Sequence, residues 1–160
     1  PIYMEKQLAN LLQEEETLQF ASFNEETAWQ IGSWLVEHAT TNNLPITIDI
    51  QRGQHQLLHA SRPGTSADND EWVKRKVRLV NRFGHSSFYM GQLLKSQEQR
   101  IEDVYLLSEG EYAPHGGCFP VNVVGTGLVG TITVSGLPQE EDHQLVVLAI
   151  RTYLQNNHTN

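Results

Sequence analysis

The segment His115-Gly116-Gly117-Cys118 combines residue types that bind metals and flat ligands. An imidazole and a thiol are ligands for iron or zinc. Two adjacent glycines let a flat ligand or an anion approach the backbone closely, because they carry no side chain. A complete tetrahedral zinc set is not visible in the sequence. The alternative is therefore a strand entry shaped by glycines, with His115 on a surface loop.

Asp142 and His143 form a second candidate pair, at the start of the last predicted helix. A carboxylate beside an imidazole can serve as a base and its orienting group, or as a pair of metal ligands. Adjacent residues on a helix point about 100° apart, so these two side chains do not face each other. We therefore predict that Asp142 caps backbone donors after Gly136, and that His143 reaches a pocket or a subunit interface.

A basic run holds five of the eleven Lys and Arg residues of the chain. The run consists of Lys74, Arg75, Lys76, Arg78 and Arg82. Helical spacing aligns several of them on neighbouring ridges, and such a patch binds carboxylates or phosphates. Arg75 and Lys76 are the predicted ligand-binding members. The alternatives are a solvated helix face, or pairing with the acidic surface of a neighbouring subunit.

Two further histidine patterns are weaker. His85-Ser86-Ser87 is more typical of a helix cap than of a nucleophile and its base, which must lie within hydrogen-bond reach. His55 and His59 would lie on one face of a strand but about 13 Å apart, too far to chelate one ion. No phosphate-binding glycine loop, nucleophile elbow or glycosidase carboxylate pair is present, so no catalytic residue is predicted and the question of enzymatic activity stays open.

The elements that must position these residues alternate irregularly along the chain. The spacing predicts helices over 4–16 and 27–39, a hairpin over 46–60, helices near 70–83 and 87–94, a helix followed by a strand over 97–105, a hairpin over 118–135 and a last helix from Pro138. This order is not the regular alternation of a parallel sheet. It predicts an α+β fold with an antiparallel sheet of about five strands and helices on its faces.

Local signals give further bounds. Asn24 is the predicted N-cap of the second helix, and one of residues 68–70 is the predicted N-cap of the third. Gly84 is the predicted end of the third helix, and Pro138 the predicted first residue of the last one. In the last strand, one face is predicted to carry Val129, Thr131, Thr133 and Ser135.

Length and charge limit the function classes. The 160 residues suit a single domain over 1–160, with a core from about 18 to 154. A net charge of -8 disfavours a nucleic-acid partner. Cys118 is the single cysteine, which suits a reducing compartment. No apolar run approaches about 20 residues and no signal peptide is recognisable, so we expect a cytoplasmic protein without a membrane partner.

Four segments together resemble a known family. They are Asp68 to Lys76, Tyr112 to Val121, Gly130 to Pro138, and Glu141 to His143. They include Gly116-Gly117-Cys118-Phe119-Pro120 and the pattern of Val134-Ser135-Gly136 followed six residues later by Asp142. This set resembles an uncharacterised conserved family related to the GlcG/HbpS-like proteins, which are often labelled haem-degrading domains. The resemblance runs from about Leu18 to Leu154.

The resemblance implies a profilin-like fold, assembly into homo-oligomers and, in some relatives, binding of haem or another tetrapyrrole. It supplies no catalytic residue. The leading hypothesis is a module that binds a small, flat, anionic ligand through Arg75, Lys76, Gly116 and Gly117, with His115 or His143 as the iron ligand if haem or a metal binds. The alternatives are a protein-interaction scaffold without a small ligand, and an enzyme acting on a small metabolite.

Overall fold

A computed structural model describes residues 2–157; residue 1 and residues 158–160 of the predicted domain lie outside the described part. In chain order the elements are α1 (Ile2–Thr17), α2 (Glu25–Asn42), β1 (Thr47–Arg52), β2 (His55–Ser61), α3 (Ala67–Phe83), α4 (Ser87–Ser96), α5 (Ile101–Tyr105), β3 (Cys118–Val123), β4 (Gly127–Ser135) and α6 (Gln139–Asn156). The fold is α+β, with helices packed on both faces of the sheet.

The sheet has four antiparallel strands in the order β2-β1-β4-β3, so the prediction of about five strands was wrong. The strand predicted near 105 does not form, because α5 ends at Leu106 in the left-handed conformation. The chain after α5 runs along α3 instead of joining the sheet. The Ala113 amide there donates to the Arg75 carbonyl of α3 at 3.1 Å.

The two faces of the sheet differ in chemistry because successive side chains point to opposite sides. One face is apolar and packs against α2 and α6, and it includes Ile48, Ile132 and Val134. The opposite face lies under α3 and carries buried polar side chains. These are Thr47, Asp49, Thr131, Thr133 and Ser135. The predicted alternation along β4 is therefore confirmed from Gly130 to Ser135, whereas Val129 packs against the apolar core. The polar face is the one that leads to the candidate site.

Local capping fixes where α3 and α6 begin. Ser66, and not one of residues 68–70 as predicted, is the N-cap of α3, and it forms a capping box with Asn69. Gly84 ends this helix in the left-handed conformation, as predicted. Pro138 is the N-cap of α6 instead of its first helical residue, so Asp142 and His143 lie one turn into the helix. No helix within residues 2–157 is long and apolar enough to cross a membrane.

Candidate functional site

A cleft of about 320 Å³ opens between the first half of α3, the junction of β4 with α6 and the loop before β3. We call it the α3–α6 cleft. Its lining includes Asn69, Trp72, Lys76, His115, Ser135 and Asp142. Three distant parts of the sequence thus contribute to one concave surface. A volume of this size is at the lower end of the range for small-ligand pockets.

Lys76 and Asp142 form an ion pair at the floor of the cleft. The Lys76 Nζ donates to Asp142 Oδ2 and to the Val134 carbonyl, each at 3.3 Å. Both side chains are almost fully buried, at 4% and 2% exposure. Burial lowers the pKa of Lys76, and the neighbouring Asp142 carboxylate opposes that shift. The pair therefore holds an ammonium and a carboxyl group away from bulk water but next to the cleft.

Asp142 also organises the turn that joins β4 to α6. Its Oδ1 accepts a hydrogen bond from the Leu137 amide at 2.9 Å, and its Oδ2 accepts one from the Gly136 amide at 3.3 Å. The predicted capping role of Asp142 is confirmed by these bonds. Burial raises the pKa of Asp142 to about 6, although Lys76 and the two amides act in the opposite direction. A carboxyl group with such a pKa can take up a proton near neutral pH.

The mouth of the cleft is aromatic. The His115 imidazole is exposed and meets the edge of the Trp72 ring, with 5.7 Å between the ring centroids. Partial burial and the nearby Lys76 ammonium both lower the pKa of His115, which favours the neutral imidazole. Arg75 does not line the cleft, because its guanidinium lies over the Trp72 ring, 5.0 Å from the centroid. A neutral imidazole has a free nitrogen to offer a metal.

Gly116 and Gly117 pack against protein atoms. A side chain at Gly116 would overlap the Gln139 carbonyl and approach the Phe88 ring to 2.9 Å. A side chain at Gly117 would overlap the Val134 carbonyl and lie 2.7 Å from the Lys76 Nζ. The Gly116 amide donates to the Gln139 side chain at 2.8 Å. Glycine is thus needed at both positions because the loop packs tightly against α6 and β4.

His143 opens to a different place, a cleft of about 470 Å³ between α1, α4 and α6 that we call the α1 cleft. Its Nε2 lies 2.8 Å from Glu14 Oε1, and its ring stacks on Phe88 with centroids 4.9 Å apart. Its buried Nδ1 has no hydrogen-bond partner among the described residues. The structure thus joins Lys76 and His115 in one cleft, leaves Arg75 beside it and separates His143 from it.

Comparison with known proteins assigns the chain to a family. Residues 23–151 match the family described as haem degrading protein HbpS-like. The chain belongs to the HbpS-like family. A UPF0303 protein of Streptomyces coelicolor is 45% identical over 147 residues, which cover 92% of this chain and 93% of the relative. The resemblance drawn from the sequence segments is therefore confirmed.

Two solved structures share the fold. The crystal structure of the Ybr137w protein is 30% identical, with a TM-score of 0.87 over 95% of this chain and 90% of that one. The crystal structure of a PduOC:heme complex is 16% identical, with a TM-score of 0.67 over 81% of this chain and 94% of that one. At that identity the second comparison supports the fold alone.

Two imidazole–carboxylate contacts of this HbpS-like chain were not predicted from the sequence. His59, interpreted as incidental, bridges two carboxylates: its Nδ1 lies 2.8 Å from Asp49 Oδ2 and its Nε2 lies 3.0 Å from Asp70 Oδ1. Glu15 of α1 lies 2.9 Å from the His85 Nδ1. One indication of the His59 contact was present in the sequence, the alternation of β1, which places the polar Asp49 at an inward position. That Asp49 lies opposite His59 depends on the register between β1 and β2.

Cys118 gives little support to a metal site or to a nucleophile. Cys118 is fully buried, and burial raises its pKa to about 12, so its sulfur stays a thiol. Within residues 2–157, no group of three His, Cys, Asp or Glu side chains is arranged to hold a metal ion.

Ser86 is the N-cap of α4, and its Oγ accepts a hydrogen bond from the Tyr89 amide, so the capping prediction for this segment is confirmed. The α3–α6 cleft remains the candidate site.

Proposed function

We propose that this chain is a ligand-binding module that takes a small ligand into the α3–α6 cleft, within a cytoplasmic homo-oligomer of profilin-like subunits. One observation carries the proposal. The cleft unites a buried ammonium and an indole, both on α3, with an imidazole from the loop before β3. Concave sites with a few convergent polar groups and shifted pKa values are typical of ligand sites.

A tetrapyrrole is the specific candidate, because the family name refers to haem and one structural neighbour is described as a heme complex. Such a group is larger than the cleft of about 320 Å³, so it would lie across the mouth, where the residues have suitable chemistry. His115 would hold the iron through its free ring nitrogen, and Trp72 offers an aromatic surface beside it. Bound haem would supply a redox-active iron. The Arg75 guanidinium, held over Trp72, would pair with a propionate.

Lys76 and His143 have narrower roles in this proposal. The Lys76 ammonium faces the cleft from its floor but already has the Asp142 carboxylate as a counter-ion. His143 is buried against Phe88 and paired with Glu14, so it would stabilise the fold of the α1 region instead of ligating iron. His115 is thus the single iron ligand that we propose.

Titration with hemin tests the proposal. We expect a Soret shift with the wild-type protein, its loss with His115→Ala and its retention with His143→Ala. The physical reason is that His115 lies in the α3–α6 cleft and His143 does not. A shift that survives His115→Ala would overturn the ligation, and no shift with the wild-type protein would remove the tetrapyrrole.

A protein-interaction role is the second candidate. Two large apolar side chains on the helices that cover the main core are exposed, Trp29 of α2 at 61% and Leu148 of α6 at 45%. These side chains favour a surface that contacts another protein, including a second copy of the chain. Absence of hemin binding together with loss of self-association in Trp29→Ser, measured by light scattering, would support this role over the first.

A further inference from the structure

Lys76 differs from the other three lysines of the chain. Lys6, Lys74 and Lys95 are exposed, whereas Lys76 is 3% exposed. Its Nζ occupies space that exists because Gly117 has no side chain. The sequence thus brings one desolvated amine to the floor of a cleft and keeps the remaining amines in water. Desolvation favours the neutral amine, which is the nucleophilic form.

The ion pair that holds Lys76 is loose. Its two hydrogen bonds, to Asp142 Oδ2 and to the Val134 carbonyl, are both 3.3 Å long. Charge-assisted hydrogen bonds of this kind are usually about 2.7–2.9 Å. Among the described residues the Nζ has these two acceptors, so one of its three positions is left for a ligand. The amine is therefore oriented but not locked.

Asp142 lies where a proton donor would be needed. Its Oδ2 contacts the Lys76 Nζ, while its Oδ1 is fixed by the Leu137 amide at 2.9 Å. The carboxyl group cannot rotate away without losing that hydrogen bond. An amine beside a positioned carboxyl group is the arrangement that imine chemistry uses.

We propose that Lys76 forms an imine with a small polar aldehyde bound in the α3–α6 cleft. The Lys76 ammonium first gives a proton to the Asp142 carboxylate. The Nζ lone pair then adds to the carbonyl carbon, and a second proton moves from nitrogen to oxygen to give a carbinolamine. Asp142 protonates the hydroxyl group, which leaves as water while the carbon–nitrogen double bond forms. The proton left on nitrogen returns to Asp142, so the step needs no oxidant or reductant. The inference shares the cleft with the proposed function but does not depend on a tetrapyrrole.

The lining of the cleft indicates the class of aldehyde. The Ser135 hydroxyl and the Asn69 amide lie beside the floor and can hydrogen-bond to hydroxyl groups of a ligand. A space of about 320 Å³ accommodates a molecule of a few carbons. An aldehyde carbon is less hindered than a ketone carbon beside a buried amine. A short hydroxyaldehyde is therefore the expected partner.

Reductive trapping tests the inference. The folded protein is incubated with glyceraldehyde and sodium cyanoborohydride, and the modified lysines are mapped by mass spectrometry after digestion. We expect Lys76 to be modified about tenfold faster than Lys6, Lys74 and Lys95, because activation of a buried amine raises its reactivity. Asp142→Asn should slow this reaction about tenfold by removing the acid.

Lys74→Arg is the matched control, since Lys74 lies on the same helix but is exposed and paired with Glu71. It should leave the modification of Lys76 unchanged, whereas Lys76→Arg should abolish the fast phase. The inference is wrong if folded wild-type protein is modified at all four lysines at similar rates, a result that needs no variant to fold. Hemin titration has a separate readout, so failure of trapping leaves the proposed function standing.

Discussion

At the scale of single residues, the sequence left two roles open for the adjacent glycines, access for a ligand or the shaping of a strand entry. In the structure, Gly117 makes room for the Lys76 Nζ and the Val134 carbonyl, which favours the second role. Gly117 also has a φ of +137°, which other residues rarely adopt. The residue therefore acts on the ligand site indirectly, through the amine that it accommodates.

Gly117→Ala should destabilise the fold by about 2–6 kcal/mol. Overlap with packed atoms and an unfavourable φ each contribute about 1–3 kcal/mol. The free energy of unfolding, measured by denaturant titration, checks this. Gly53→Ala is the control: its φ is +60°, but nothing lies within 4 Å of the added carbon. Its expected loss is about 1 kcal/mol, and equal losses for the two variants would contradict the packing explanation.

At the scale of elements, helices are attached to the sheet by imidazole–carboxylate contacts as well as by apolar packing. His59 of β2 connects Asp49 of β1 with Asp70 of α3. Burial alone would lower the pKa of His59, but hydrogen bonds and charges from the two carboxylates raise it above its usual value. Since α3 carries Lys76 and Trp72, this contact helps to fix one wall of the cleft.

His59→Gln should reduce stability more at pH 5.5 than at pH 8.5. A group whose pKa is higher in the folded state contributes stability below its unfolded pKa, and that stability is lost as pH rises through the folded pKa. The expected loss at pH 5.5 is about 1 kcal/mol, because the side chain is partly screened by solvent. Unfolding curves at the two pH values measure it.

The control for this prediction is His55→Gln on the same strand. His55 is exposed, and its side chain makes no hydrogen bond to another residue within 2–157. Its variant should lose less stability at pH 5.5 than His59→Gln, because it removes no imidazole–carboxylate hydrogen bond. A pH-independent loss in His59→Gln would mean that the histidine acts through packing alone.

At the scale of the whole molecule, the sheet separates the main apolar core from a layer under α3 in which buried polar side chains lie beside a small apolar cluster. Neighbouring residues of β4 illustrate the division: Ile132 is fully buried in the main core, and Thr131 is 1% exposed on the face under α3. The Thr131 hydroxyl has no hydrogen-bond partner among the described residues. Stability should therefore come mainly from the α2–α6 side, while the α3 side supplies the polar groups that reach the cleft.

Ile132→Ala should cost about 2–5 kcal/mol, the usual range for a truncated core isoleucine. Thr131→Val should be neutral or stabilise by up to about 1 kcal/mol, because it removes a buried hydroxyl without a protein partner. Denaturant unfolding of both variants gives the comparison. A large loss in Thr131→Val would show that its hydroxyl is satisfied by bound water, and that the polar layer contributes to stability.

The sequence by itself determined the elements whose signals are local. The alternation of β1 and β4, the Asn24 cap of α2 and the Gly84 end of α3 follow from side-chain period and cap chemistry, and all are present. The family was also recognisable, because its motifs are short segments of fixed order. The strand predicted near 105 failed, since apolar residues in a short segment suit a helix equally well.

The tertiary structure alone decided which side chains meet. Lys76 and Asp142 are 66 residues apart, and their contact depends on how α3 and α6 pack against β4. The same packing directs His115 into the α3–α6 cleft and His143 under α1, although the sequence made them equivalent candidates. Residue types and spacing fix what a side chain can do, whereas long-range packing fixes its partners, its burial and hence its reactivity.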